Sequence, residues 1–103
     1  MTRGEVWWGE DPDAGRRPYL LLTRADAVPV LRAVLAVPAT RTIRGIRTEV
    51  PLGPADGMPA ECVLSLDSTT LMPKAFFTEV ICSLRGDRMH EVCEALRIAT
   101  GCT

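Results

Sequence analysis

Short stretches of strand character, separated by clusters of turn-forming residues, fill the chain up to residue 84 and leave room for little besides a small sheet. They lie at residues 5–8, 18–23, 31–37, 48–52, 62–66 and 76–84. The separators Asp11-Pro12-Asp13-Ala14-Gly15 and Gly53-Pro54-Ala55-Asp56-Gly57-Met58-Pro59 are built from residues that turns demand. Strands this close together pair most simply with their neighbours in antiparallel fashion, which predicts a mainly β, α+β fold: a small antiparallel sheet curled into a barrel. One helix completes it. Met89, Val92, Cys93, Leu96 and Ala99 recur at helical spacing, with Asp87 placed as N-cap and Gly101 as the C-terminal stop.

At 103 residues the chain suits a single domain, 1–103, with a core that needs no disulfide or metal. The four cysteines form no CxxC pair, and Cys62 and Cys82 fall in apolar runs where a thiol acts as a small hydrophobe. His90 and Cys93 are too few to make a metal site, and His90 reads as a structural histidine. The expectation is therefore no cofactor and no metal. No stretch reaches the ~18 consecutive apolar residues of a membrane helix, and Met1–Glu5 does not open an apolar leader. Both observations predict a cytoplasmic protein with reduced thiols and no membrane partner.

Charge is distributed unevenly although the net value is only −1. Residues 1–15 carry −3, residues 16–48 carry +6 and residues 49–103 carry −4. Seven arginines lie between Arg16 and Arg47, and the first two stand in a Gly15-Arg16-Arg17-Pro18 step leading into Tyr19-Leu20-Leu21-Leu22. A guanidinium rooted at the mouth of a strand has little freedom, and it can hold a phosphate by two parallel hydrogen bonds. A polyanion site on one face and an ordinary solvated, arginine-rich surface both fit this pattern. Trp7 and Trp8 point to opposite sides of their strand, one toward the core and the other available for packing, a dimer contact or a nucleobase.

The order of these segments resembles the MazF/PemK family of toxin endoribonucleases. The resemblance rests on Gly-Glu-Val-Trp-Trp at 4–8, Arg-Arg-Pro-Tyr-Leu-Leu-Leu at 16–22, Leu-Ala-Val-Pro-Ala-Thr-Arg-Thr at 35–42, and a helix carrying Glu-Ala-Leu at 94–96. It covers nearly the whole chain. It implies an SH3-like barrel with a C-terminal helix, a homodimer, and metal-independent cleavage of single-stranded RNA at short sequences. It also implies a cognate antitoxin resembling MazE, whose acidic tail lies in the RNA groove.

By position, Arg17 and Thr40 match the family's active-site arginine and threonine. Cutting RNA through its own 2′-hydroxyl needs a proton acceptor, a cation for the phosphorane and a donor for the departing 5′-oxygen. Arg17 suits the last two tasks, and Thr40 can bond a phosphate oxygen. Several family members carry a glutamate five residues before the arginine, where this chain has Pro12. Asp13, ahead of Asp11 and Glu10, is the nearest candidate for the base. Arg16, Arg41, Thr42 and Arg44 are candidates for flanking phosphates. Asp67 and Ser68 close a segment that resembles the family's later strand beside the substrate groove. Two other classes remain open at this point: a non-enzymatic toxin resembling CcdB that binds a topoisomerase, and a plain RNA-binding module.

Overall fold

The computed structural model describes residues 1–102. Seven strands form in chain order: β1 (Glu5–Asp11), β2 (Gly15–Leu21), β3 (Ala33–Thr40), β4 (Glu49–Leu52), β5 (Cys62–Ser65), β6 (Thr70–Pro73) and β7 (Phe77–Ser83). Helix α1 (Gly86–Thr100) follows. The strands run in the order β4-β5-β3-β2-β1-β7, with β6 added beside β3, and every pairing is antiparallel. The curled, mainly β architecture expected from the sequence is present. Among the described residues β4 and β7 form no ladder with each other, so the sheet curls without closing.

Strand β3 organises the curl. Its first half pairs with β6 from Ala33 to Ala36, its middle with β2 from Ala36 to Pro38, and its end with β5 at Ala39 and Thr40. The apolar run of β2 is continuous rather than alternating because both faces of this central pair are covered. Leu20, Leu22, Val37 and Ala39 enter one cluster with Val50, Leu52, Leu64, Val92 and Ala95. Tyr19, Leu21, Val34 and Ala36 enter a second with Val28, Met72 and Phe77. Where β2 ends, buried Thr23 accepts a hydrogen bond from the Leu35 amide at 2.7 Å and satisfies a donor that would otherwise be orphaned.

Some boundaries move from their expected places. Strand β2 begins at Gly15 rather than residue 18, so Arg16 and Arg17 stand within the strand. Strand β6 was not legible because Thr70–Pro73 is short and ends in proline. The helix N-cap is Arg85, not Asp87. The Leu84 amide is pinned to the Gly4 carbonyl at 2.9 Å, and the first helical bond runs from Met89 to the Arg85 carbonyl, which starts the helix early. Asp87 falls in the first turn, where an acid still suits the helix dipole.

The buried stripe of α1 is centred on Val92 and Ala95, with Met89, Leu96 and Ala99 at its margin. Cys93 is exposed and accepts a bond from the Arg3 guanidinium at 3.3 Å, and His90 is exposed rather than structural. Gly101 ends the helix in the left-handed conformation, φ 71°, as expected. Among the described residues no helix is long and apolar enough to cross a membrane.

Candidate active site

The β1–β2 hairpin sets the arginine step. Asp11 and Gly15 are its closing pair, the Asp13 amide donates to the Asp11 carboxylate at 2.8 Å, and Ala14 donates to the Asp11 carbonyl at 3.2 Å. Gly15 then turns the chain at φ 80°, a left-handed position that a side chain would resist, as three-residue hairpin loops require. The register that results places Arg16 opposite Glu10, Arg17 opposite Gly9 and Pro18 opposite Trp8.

A cavity of about 360 Å³ opens beside this hairpin. The β2–β3 ladder stops at Tyr19 and Pro38, and neither Pro18 nor Pro38 has an amide hydrogen to extend it. Beyond that point β3 turns away to pair with β5 and leaves the edge of β2 uncovered. Continuing the β2–β3 register past its last pair sets Thr40 opposite Arg17. Arg16 and Arg17 leave β2 on alternate faces, yet both border the cavity because it opens at the strand edge.

Arg16, Arg17, Thr40 and Arg41, all expected from the sequence, are brought together here. Arg17 is half-buried and makes one long bond, 3.4 Å to the Ala14 carbonyl. The Thr40 oxygen accepts from the Thr42 amide at 3.1 Å, and its hydroxyl proton meets no protein acceptor among the described residues. The site therefore offers donors aimed at an anion, with little protein chemistry competing for them.

The remaining walls come from distant sequence. Trp8 lines one side, with the Arg16 guanidinium 4.3 Å from its ring centroid. Met58, Pro59, Ala60 and Cys62 line another. Sequence reasoning did not bring these four to the site. The usable signal for Trp8 was strand alternation, since Trp8 and Arg16 lie diagonally across the hairpin; no local signal marks the 58–62 wall. Burial pushes the Cys62 thiol pKa up, Glu61 and Asp56 add to this, and Arg41 opposes it. Cys62 is thus a neutral, buried wall rather than a thiolate nucleophile.

Other candidates lie elsewhere. Asp13 is exposed at the hairpin tip and does not border the cavity, and neither does any other carboxylate among the described residues. Thr42 and Arg44 are in the exposed loop after β3, where Glu49 accepts from the Arg44 amide at 3.1 Å and the Gly45 amide at 3.0 Å. Asp67 accepts a 2.6 Å bond from the Thr48 hydroxyl and borders a separate groove against Leu96 and Ala99 of α1. Ser68 accepts from the Ser65 hydroxyl at 3.2 Å in the same turn.

Comparison with known proteins agrees with this architecture over its whole length. The chain is 41% identical to the probable endoribonuclease MazF5 of Mycobacterium tuberculosis, over 99% of this chain and 94% of that protein. The structure superposes on the Mycobacterium tuberculosis toxin MazF-mt6 with a TM-score of 0.88 at 30% identity, covering 94% of this chain and 96% of that one. It also matches a structure described as an endoribonuclease in complex with its cognate antitoxin from a mycobacterial species, with a TM-score of 0.90, 25% identity and coverage of 100% and 97%. The curled sheet, its single C-terminal helix and the match of residues 2–100 to the family described as PemK-like, MazF-like toxin of type II toxin-antitoxin system have one meaning: the chain belongs to that family of toxins.

Proposed function

We propose that this chain is the toxin of a type II toxin-antitoxin pair and acts as a sequence-specific, metal-independent endoribonuclease on single-stranded RNA. The observation that carries this reading is the pairing of a lightly held, half-buried Arg17 with Thr40 across the gap between β2 and β3. Its family membership and the endoribonuclease names of its relatives support the same reaction class. Residues 1–103 act as one toxin domain, since both core clusters share β2 and β3.

The reaction follows from the groups present. The 2′-hydroxyl next to the scissile bond gives up its proton to a base or to solvent as its oxygen attacks phosphorus, the P–O5′ bond breaks, the 5′-oxygen takes a proton from solvent, and the products are a 2′,3′-cyclic phosphate and a free 5′-hydroxyl. Charge grows on the phosphorane oxygens as this happens. Arg17 neutralises that charge with fixed donors and can supply a hydrogen bond to the leaving 5′-oxygen, while the Thr40 hydroxyl donates to a nonbridging oxygen. Arg41 holds an adjoining phosphate, Arg16 contacts the RNA beside it, and Thr42, Arg44, Asp67 and Ser68 contact the strand farther along, outside the cavity.

Asp13 can take the 2′-proton only by a movement of the hairpin tip, because no carboxylate borders the cavity among the described residues. Asp13→Asn separates the two roles: a fall in kcat of ~100-fold puts the carboxylate in the reaction, and an unchanged kcat leaves it a solvated loop group.

The partner that holds the toxin inactive is a MazE-like antitoxin with an acidic tail, which meets Arg16, Arg17 and Arg41 as the RNA backbone does. A homodimer in the cytoplasm is the proposed working form. The test is cleavage of an RNA pool in EDTA. Cyclic-phosphate products that disappear in Arg17→Ala support the assignment; products that persist undiminished sink it.

A further inference from the structure

Trp8 is a large aromatic left half-buried in the wall of the cavity. Across the hairpin it faces Pro18 and lies diagonal to Arg16, whose guanidinium stacks over the ring at 4.3 Å. Arg16 is otherwise exposed and has no ion pair or side-chain hydrogen bond among the described residues, so the ring alone orders it. Trp7, on the other face, is used differently: its indole donates to Glu5 at 3.1 Å and the ring packs against the Tyr19 and Phe77 cluster.

Resting on the RNA-cleaving reading above, we propose that the Trp8–Arg16 stack is a nucleobase subsite, on which the base of a nucleotide adjoining the scissile phosphate lies flat. Unpaired bases are held on aromatic and guanidinium planes, and the stack presents both kinds of plane beside the phosphate-holding pair Arg17 and Thr40. Met58, Pro59 and Ala60 also line the cavity, and their side chains carry no hydrogen-bond donor and no strong acceptor to read a base edge. The subsite therefore contributes affinity for a base while discriminating weakly among the four. A flat guanidinium is essential to this role; a lysine would keep the charge and lose the plane.

The test uses a short RNA carrying a mapped cleavage site, made uncleavable by a 2′-deoxy ribose at the attacking position, with bases removed one at a time. For the wild-type protein, removal of one base beside the scissile phosphate weakens binding by about tenfold. In Trp8→Leu and in Arg16→Lys that penalty disappears, and Trp8→Phe restores it. An equal abasic penalty in the wild type, Trp8→Leu and Arg16→Lys overturns the proposal, as does the absence of any costly position in the wild type. Should Trp8→Leu fail to fold, Arg16→Lys decides alone, since Arg16 is exposed. Cleavage of the matching all-ribose RNA by the wild-type protein keeps the two readings apart: cleavage with no subsite signature sinks only the subsite, and absent cleavage sinks the ribonuclease assignment.

Discussion

Arg17 and Arg88 have the same side chain and opposite circumstances. Arg88 is saturated: its Nε and Nη2 donate to both oxygens of Asp56 at 2.8 and 3.1 Å, and its Nη1 donates to Glu91 at 2.9 Å. The Asp56 side chain is 7% exposed, so this fork sits largely away from water. It ties the first turns of α1 to the 53–59 loop, which carries Met58 and Pro59 into the cavity wall. Arg17 has one long bond to a carbonyl and no carboxylate. A guanidinium surrounded by matched acceptors is part of the scaffold, whereas one held in place but left unmatched is available to a ligand. The Arg88 fork thus braces one wall of the cavity, while the donors of Arg17 stay open.

The largest expected effect lies on the open arginine. Arg17→Ala lowers kcat/KM for RNA by about 10²–10³-fold with the melting temperature unchanged, as for the loss of one preorganised donor to a developing oxyanion. Activity that fell together with stability would erase the distinction between the two arginines. Next comes the scaffold: Arg88→Ala costs about 2 kcal/mol of unfolding free energy in denaturant titration, because Asp56 is left with an unmatched charge. Gly57→Ala attacks the same corner through the backbone. At φ 94° a Cβ would come 2.7 Å from the Cys82 Cβ, and a loss of about 1–3 kcal/mol is expected. Thr40→Val keeps the shape and removes the hydroxyl; about a tenfold loss in kcat, with stability maintained, sharpens its role as donor.

The smallest effect is on pH dependence. Hydrogen bonds from Arg88 hold the Asp56 carboxyl below its usual range, against the opposing effect of burial, with the Gly53 amide helping. A lowered folded-state pKa gives stability that is fully present above the unfolded carboxylate value of about 3.9 and is lost as pH falls through the folded value. Asp56→Asn should therefore flatten the loss of stability below about pH 4. An unchanged acid limb would place the acid sensitivity in some other carboxylate.

Much of the fold is legible because its cues are local. Asp-Pro-Asp-Ala-Gly gives a hairpin, Tyr19-Leu20-Leu21-Leu22 gives a strand buried on both faces, and the spacing of Val92, Leu96 and Ala99 gives a helix. Errors occur where long-range contacts decide. The stripe on α1 is centred on Val92 and Ala95 and leaves Cys93 in solvent, because the helix packs against the 66–68 turn and β4, segments distant in sequence. Thr70–Pro73 became a strand only because β3 offered it an edge. At the site, Arg17 and Thr40 are visible through their motifs, while the bond from Thr48 to Asp67 and its place beside α1 join segments far apart in the chain.

The sequence by itself determined the hairpin, the arginine step and the chemistry those residues can perform, since each depends on neighbours only a few positions away. The tertiary structure decided which arginine meets a carboxylate and which meets an open cavity. That choice depends on where β3 parts from β2 and where the 53–59 loop is stapled to α1, and both are contacts between segments far apart in the chain.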